Sequence, residues 1–251
     1  MTENNVYRLD KKDRKILYEL DKNARQSNSQ ISKKVGLSKE TVNYRIKKME
    51  SEGLILRYST IINPFKVGFR KFKLYLRLRN ASKQKIEEIG QYFNKHKKTE
   101  WVVFASGRWD IVVGYIVKDV NEFDEEMHKV LSRYSNFIQE KAAVTTIYLS
   151  HATREFLYGN KEVKDYIYYE VTGKKQEIDG VDDKILKIIA NNARISVVDI
   201  AEKLKSTPRI IQYKIKGLEK SGVIQGYKVT LDPHKMGNKF YKGIFYLGNN
   251  I

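Results

Sequence analysis

The strongest constraint on this chain is an internal repeat. Residues 9–78 align without a gap onto residues 178–247, at a shift of 169 positions, and 23 of the 70 aligned pairs are identical. Self-similarity of this length predicts two copies of one folding unit. A chain of 251 residues is long enough for two or three small domains, so we expect a third unit between the copies.

Each copy is predicted to form three helices followed by a β hairpin. In the first copy, Asp10 is placed to cap the first helix, and Ser38 follows a tight turn and is placed to cap the third. Apolar residues recur at helical spacing along that third helix, at Val42, Ile46 and Met49. The run at residues 54–62 reads as an extended strand with its partner close by. Helix, turn, helix and wing are together typical of a winged helix-turn-helix.

Positive charge is concentrated in the two copies. The chain has 48 Lys and Arg against 30 Asp and Glu, a formal net charge of +18. Residues 1–70 carry +8 and residues 171–251 carry +7, whereas residues 71–170 carry only +3. Because a basic surface attracts polyanions, both copies are predicted to bind nucleic acid.

The third helix of each copy presents polar and cationic side chains on the face opposite its apolar residues. Side chains of this kind read base edges and phosphates in a major groove. The candidates of the first copy are Ser38, Lys39, Glu40, Thr41, Asn43, Tyr44, Arg45, Lys47 and Lys48. The candidates of the second copy are Thr207, Arg209, Gln212, Tyr213, Lys214, Lys216 and Lys220.

Two roles are expected within these sets. The residues expected to anchor phosphates are Arg45, Lys47, Lys48, Lys214 and Lys216. Those expected to approach bases are Asn43, Tyr44, Gln212 and Tyr213. Glu40 lies at the position that Arg209 takes in the second copy, so the two copies are predicted to prefer different half-sites.

These motifs resemble the Lrp/AsnC family of prokaryotic transcription regulators. The first copy matches the family pattern at Leu9-Asp10, Asp13, Ile16-Leu17, Ala24-Arg25, Ser27, Ser38, Thr41-Val42, Arg45-Ile46, Glu50, Gly53 and Ile55. The second copy matches it at Asp179, Asp182, Ala193-Arg194, Ser196, Glu219, Gly222, Ile224 and Asp232-Pro233. The resemblance implies a sequence-specific regulator that binds double-stranded DNA and forms a homo-oligomer, a dimer or higher.

The middle of the chain is predicted to have the order βαββαβ, which is that of a ferredoxin-like sandwich. Its last strand is expected at Ile138–Leu149. This unit is similar to the family's effector-binding (RAM) domain, which implies a small-molecule effector such as an amino acid and makes Gly107, Arg108 and Asp110 candidate effector contacts. Turn chemistry alone also explains a glycine and an aspartate there, with Gly107 in the turn and Asp110 capping the strand.

The predicted class is therefore α+β, with five segments. They are a winged helix-turn-helix at 1–64, the ferredoxin-like unit at 65–150, a linker at 151–177 with a possible strand at 166–171, a second winged helix-turn-helix at 178–233, and the first strand of an incomplete second effector domain at 234–251. A lone strand cannot build a sandwich. Either the chain is a truncated form of a four-domain protein, or its last strand adds to another sheet.

Other function classes receive less support from the sequence. There is no cysteine, the four histidines are scattered, and neither a P-loop nor a nucleophile elbow is present, so we expect no enzyme, no metal site and no cofactor. No 18-residue apolar run exists, which predicts a cytoplasmic, nucleoid-associated protein without a membrane partner.

Two alternatives remain open at this point. Siroheme decarboxylases share the Lrp/AsnC architecture, and His151 or Arg154 could serve haem carboxylates, although a surface role is expected for both. A protein that coats the nucleoid without sequence preference would need only Lys and Arg on its DNA face. Glu40, Asn43 and Tyr44 favour base readout over coating.

Overall fold

The fold was obtained as a computed structural model, which describes residues 6–159, 166–170, 174–238, 241 and 243. The first module consists of α1 (Lys11–Lys22), α2 (Asn28–Val35), α3 (Lys39–Ser51) and β1 (Ile55–Ile62). The central unit consists of β2 (Arg70–Leu78), α4 (Lys83–Asn94), β3 (Thr99–Phe104), β4 (Ile111–Val117), α5 (Val120–Tyr134) and β5 (Ile138–Thr145). A connecting segment contains β6 (Tyr148–Ala152), a 3-10 turn (Glu155–Leu157) and β7 (Tyr166–Glu170). The second module consists of α6 (Gly180–Ile189), α7 (Val197–Lys203), α8 (Pro208–Lys220) and β8 (Ile224–Leu231). The predicted α+β class is confirmed.

Side-chain caps define where the module helices begin. Asp10 accepts hydrogen bonds from the backbone of α1, and the side chain of Asp13 accepts one back from the Asp10 N–H, which makes a capping box. Asp179 and Asp182 repeat this arrangement at α6. The predicted cap of α3 by Ser38 is likewise confirmed. The caps leave few unpaired N–H groups at the starts of these helices.

The predicted wing hairpins are wrong, because the two wing strands pair with each other. β1 and β8 form a two-stranded antiparallel sheet, in which Tyr58 faces Val229 and Ser59 faces Lys228. Ser59 and Lys228 are counterparts in the repeat, so a pseudo-twofold axis passes between them. A strand needs a hydrogen-bonding partner, and the other copy supplies it. The two modules therefore form one unit.

A single apolar core underlies this unit. It joins buried residues of both modules, from Ile16 and Val42 in the first to Ile185 and Ile211 in the second. The helices also cross over, since α1 packs against β8 and α6 packs against β1. Each module thus completes the core of the other, in the manner of a symmetric dimer built within one chain.

The central unit has the predicted ferredoxin-like topology. Its antiparallel sheet has the strand order β3-β4-β2-β5, and α4 and α5 cover one face. On the opposite face Trp109, Tyr75 and Val112 form a small separate apolar cluster, with Trp101 and Ala142 against it. The sheet therefore buries one face fully and leaves the other without a helical cover.

The strand predicted at Ile138–Leu149 is two strands. β5 ends at Thr145, which is opposite Phe72 in β2, and the N–H of Thr146 donates to the carbonyl of Lys71 at 2.9 Å. β2 extends only two residues further, so the chain leaves the sheet. It then forms β6, which pairs with β7 and confirms the extra strand predicted near residue 166.

The segment after β6 packs onto the first module. Arg154 forms an ion pair with Asp21, and its backbone N–H donates to the same carboxylate at 2.7 Å. Lys228 lies 3.4 Å from Asp21 and donates to the carbonyl of Ala152 at 2.7 Å. Burial lowers the pKa of Lys228. We call Asp21, Arg154 and Lys228 the junction cluster.

The junction cluster gives the half-buried Arg154 a structural partner beside the half-buried His151. Arg154 is held by the fully buried Asp21, and burial next to Lys228 lowers the pKa of His151. These contacts fix the connecting segment, which links the central unit to the modules, against both modules.

Two further predictions concern the ends of these segments. Most of the residues 234–251, where the last strand is predicted, lie outside the described residues, and the boundaries at 64, 150, 177 and 233 stay predictions. No helix in the described part of the chain is long and apolar enough to cross a membrane.

The junction cluster should be important for stability. Asp21→Ala leaves Arg154 and Lys228 without their buried carboxylate, so we expect the free energy of unfolding to fall by about 3 kcal/mol in a urea titration. The matched control is Asp183→Ala, which removes an exposed ion pair with Lys187 in α6 and should change stability by less than about 0.5 kcal/mol. Equal losses in the two variants would contradict this role of the junction cluster.

Candidate nucleic-acid interface

The third helix of each module presents an exposed polar face. We call α3 the first recognition helix and α8 the second recognition helix. Tyr44 is 67% exposed and Tyr213 is 79% exposed, so neither ring belongs to the core. The other exposed candidate side chains are Ser38, Lys39, Glu40, Lys47, Lys48, Thr207, Arg209, Gln212, Lys216 and Lys220. The structure thus brings most of the predicted contacts onto two open helix faces.

Two of the predicted contacts, Ser38 and Thr207, also cap the recognition helices. Ser38 accepts a hydrogen bond from the N–H of Thr41 at 3.1 Å, and the two hydroxyls lie 3.0 Å apart. Thr207 accepts one from Ile210 at 3.3 Å, with Pro208 at the first helical position, where proline loses no backbone bond. These caps set the direction in which each recognition helix leaves its turn.

Arg45 and Lys214, which are both expected to anchor phosphates, form ion pairs inside their own modules. The Arg45 guanidinium donates to Asp10 at 2.6 Å and to Asp13 at 2.8 Å, and these hydrogen bonds raise its pKa. Lys214 lies at the same position of the second module.

The ammonium group of Lys214 repeats the arrangement with two aspartates. It donates to Asp179 at 2.5 Å and to Asp182 at 3.2 Å. The hydrogen bond from Lys214 is the main cause that lowers the pKa of Asp179 to about 2. Both cations therefore tie a recognition helix to the capping box of the first helix in the same module.

Within the described part of the chain, the remaining predicted cations have no short ion pair inside the modules. Lys47 and Lys216 occupy equivalent exposed positions, and Lys48 makes only a loose 3.9 Å contact with Glu52. An exposed pair of that kind is worth little in water, so these side chains can turn to a phosphate at small cost. Lys39, Arg209 and Lys220 are exposed in the same way.

The base-reading candidates differ between the two helices. Asn43 is half-buried and accepts a hydrogen bond from the side chain of Asn28 at 3.1 Å. Its counterpart Gln212 is exposed. Glu40 in the first recognition helix and Arg209 in the second give the two faces opposite charges at one position. The two heads therefore present different chemistry.

Sequence reasoning missed the role of Arg25 and Arg194, which join the modules. The N–H of Ala24 donates to Tyr227, and Arg25 donates to the carbonyl of Ala193 at 2.9 Å. Symmetrically, Arg194 donates to the carbonyl of Ala24 at 2.8 Å. The Ala-Arg pair occurs in both copies, which indicates a shared role. The pair itself does not indicate that each arginine contacts the other copy.

Each of these arginines also lies over an aromatic ring of the other module. The guanidinium of Arg25 is 5.3 Å from the ring centroid of Tyr227, and that of Arg194 is 5.2 Å from the ring of Tyr58. The hydroxyl of Tyr58 donates to Glu50 at the end of the first recognition helix. These contacts connect the interface to both helices.

The predicted effector residues have structural partners. Gly107 has a φ of +124°, a conformation that favours glycine. The carboxylate of Asp110 accepts a hydrogen bond from the N–H of Leu78 at 2.7 Å. Arg108 lies over the ring of Trp109 and donates to Glu140 at 2.7 Å. Turn chemistry therefore accounts for Gly107 and Asp110 in this structure.

Comparisons with known proteins identify the modules. The family described as "Winged helix-turn-helix DNA-binding" matches residues 9–55 and again residues 178–225. An uncharacterized HTH-type transcriptional regulator, PF1231 of Pyrococcus furiosus, is 28% identical over 138 residues, which cover 55% of this chain and 92% of that protein. The HTH-type regulator LrpB of Bacillus subtilis is 36% identical over 73 residues, which cover 29% of this chain and 49% of that protein.

Several relatives combine at least 30% identity with a match over more than two thirds of their own length. A proline dehydrogenase transcriptional activator of Rhodobacter capsulatus is 30% identical over 125 residues, which cover 49% of this chain and 81% of that protein. The chain belongs to the Lrp/AsnC family. It is a DNA-binding helix-turn-helix regulator of that type, with the DNA-binding module present twice. The resemblance inferred from the motifs is confirmed.

Solved structures share this Lrp/AsnC fold. An AsnC family regulator from Agrobacterium tumefaciens has a TM-score of 0.50 at 24% identity, over 55% of this chain and 90% of that chain. The regulator NMB0573 of Neisseria meningitidis, solved with L-Met, has a TM-score of 0.50 at 23% identity, over 56% of this chain and 90% of that chain. The siroheme decarboxylase NirDL has a TM-score of 0.61 at 12% identity, over 88% of this chain and 65% of that chain. At these identities the likenesses establish the fold alone.

Neighbouring cations on the first recognition helix should respond differently to removal. Lys47→Ala should lower the slope of log affinity against log salt by about one unit, because one phosphate contact is lost. Arg45→Ala should leave that slope unchanged but lower the free energy of unfolding by about 2 kcal/mol, because the buried Asp13 loses a charged partner. DNA binding across a salt series and urea unfolding measure the two effects. If both variants lowered the slope of log affinity against log salt equally, Arg45 would contact a phosphate as Lys47 does.

Proposed function

We propose that this Lrp/AsnC protein is a sequence-specific regulator that reads two unlike half-sites with one chain. The observation that carries this proposal is that the two modules share one sheet and one core, whereas their recognition helices present different exposed residues. β1 and β8 hold the two recognition helices in one unit, and Glu40 and Asn43 have Arg209 and Gln212 as counterparts. A homodimer must present identical heads, whereas this chain does not.

Each head combines positioning and readout. Lys47 and Lys216 contact phosphates, and Tyr44 and Tyr213 approach base edges from the same helical position in the two modules. Glu40 accepts a hydrogen bond from cytosine, and Arg209 donates to guanine. The preferred site is then a pair of adjacent half-sites that need not be palindromic.

The central unit supplies regulation in this proposal. A small molecule such as an amino acid binds near the hairpin of Gly107, Arg108 and Asp110, and the L-Met complex of the Neisseria regulator supports this class of effector. A homo-oligomer formed by packing sheet against sheet, which the family resemblance implies, would use the sheet face opposite α4 and α5. An effector that binds near that face would then change how readily the protein forms the homo-oligomer.

The test is binding to genomic DNA fragments across a salt series, with variants of each head. Wild-type protein should select a set of fragments with a steep salt dependence. Asn43→Ala/Tyr44→Ala should lose the preference for one half-site, and Gln212→Ala/Tyr213→Ala should lose the preference for the other. Loss of one good base contact is worth about 1–3 kcal/mol. Equal binding of all fragments by all three proteins would instead support a nucleoid-coating protein.

A siroheme decarboxylase-like activity is the second candidate. The likeness to NirDL supports it, because that match extends over 88% of this chain and so beyond one module and one effector domain. Titration with siroheme, followed by its absorption bands, separates the two functions. We expect no band shift at micromolar protein and retained DNA binding. A saturable shift accompanied by loss of the carboxylates would favour the enzyme.

A further inference from the structure

We propose that Arg194, in the second module, sets the base preference of Asn43, in the first recognition helix. The inference deepens the proposed function and rests on it. Three side chains form the connection: Arg194 donates from Nη2 to Oδ1 of Asn28 at 2.7 Å, and Asn28 donates from Nδ2 to Oδ1 of Asn43 at 3.1 Å. We call these three residues the amide relay.

The amide relay has only one possible direction. A guanidinium carries donors and no acceptor, so the atom of Asn28 that faces Arg194 must be its carbonyl oxygen. The amide nitrogen of Asn28 then faces Asn43, and a nitrogen donor requires the oxygen of Asn43 in return. The arginine thereby determines the orientation of two amides whose oxygen and nitrogen would otherwise be interchangeable.

Arg194 is itself held firmly. Its Nη1 donates to the carbonyls of Ala24 at 2.8 Å and Gln26 at 2.9 Å, and its guanidinium lies over the ring of Tyr58. These contacts place the guanidinium at the turn that precedes α2. Arg194, which determines the orientation of both amides, is therefore held by backbone carbonyls.

The orientation has a consequence for recognition. With Oδ1 of Asn43 turned to Asn28, the group left for DNA is the Nδ2 amide NH2, which has no acceptor within the described part of the chain. Adenine is normally read by an amide that offers both an acceptor and a donor. Guanine offers two adjacent acceptors, O6 and N7, which suit the two donors of an amide NH2 group. The first head should therefore prefer guanine at the position that Asn43 contacts.

The second module provides an internal control because it has the arginine without the relay. Arg25 makes the equivalent contact across the interface, to the carbonyl of Ala193 at 2.9 Å. The counterpart of Asn28 is Val197, which has no side-chain acceptor, and the counterpart of Asn43 is the exposed Gln212. Removing Arg25 should thus disturb the same interface and leave base preference unchanged.

The experiment measures base preference by selection from randomised duplex DNA, using the full chain. Asn43→Ala first identifies the base position that Asn43 reads. There, wild-type protein should favour guanine over adenine by at least about fivefold. Asn28→Val, which copies the residue found in the second module, should fold normally and lower that ratio at least fivefold. Arg194→Gln should do the same, whereas Arg25→Gln should keep the wild-type ratio.

The outcomes separate this inference from the proposed function. A wild-type ratio in both Asn28→Val and Arg194→Gln would overturn the relay while leaving sequence-specific binding intact. A wild-type preference for adenine at that position would show that the amide is oriented the other way, and would overturn it too. Wild-type protein without preference at any position would overturn the proposed function, and the inference with it. Thermal unfolding of each variant confirms that the differences arise in a folded protein.

Discussion

The pairing of β1 with β8 is the constraint on which the rest of this structure depends. A two-stranded ribbon alone is marginal in water, and each wing strand alone would leave its backbone groups unpaired. The pairing satisfies both strands and brings α1 onto β8 and α6 onto β1, so that one apolar core serves both modules. Neither module can then unfold or rotate independently without exposing the core of the other. The separation of the two recognition helices is set by this core rather than by a flexible linker.

The pseudo-twofold symmetry is broken at its axis. Ser59 faces Lys228 there, and only Lys228 carries a charge, which Asp21 and the carbonyl of Ala152 satisfy. The counterpart of Asp21 in the second module is Ala190, so the junction cluster can form on one side alone. Because a buried cation needs a partner, the connecting segment is directed to the first module. The central unit is thus attached to a defined side of a nearly symmetric pair.

Much of the fold could be predicted from local pattern, and the failures concern pairing across long sequence distances. The caps at Asp10 and Ser38, the apolar face of α3 and the order of the central unit all follow from residues within one turn or strand of each other. The partner of β1 lies about 170 residues away, and a strand's own sequence states only that a partner is required. The end of β5 was predicted wrongly for the same reason. The residues after Thr145 still favour a strand, but β2 provides no hydrogen-bonding partner there.

The candidate site shows the same division between local and distant information. Helical spacing correctly placed Tyr44, Lys47, Tyr213 and Lys216 on exposed faces. Arg45 lies on the edge of the same face, but its partners Asp10 and Asp13 are more than 30 residues earlier, and spacing along one helix cannot reveal them. Cationic residues near a DNA face therefore divide into two classes that a sequence does not separate, those that hold the helix and those that remain for the phosphates.

Comparison of the two modules separates what the fold requires from what each head is free to change. The aspartates of the capping boxes, the arginines across the interface and the Tyr–Glu pairs at the helix ends are identical in both copies. Each of them makes equivalent contacts in the two modules. Two positions on the exposed faces are also identical, a tyrosine and a lysine, which is what a shared way of docking onto the duplex would require.

Other positions on the outer side of the recognition helices differ between the two copies. Thr41 has Ile210 as its counterpart, and Lys48 has Gly217. In a homodimer such a change would alter both half-sites at once, since each residue occurs in both heads by symmetry. Duplication within one chain removes that restriction while the shared core preserves the geometry of the pair. The repeat therefore keeps the relative position of the two recognition helices constant, while the base preference of each helix can change independently.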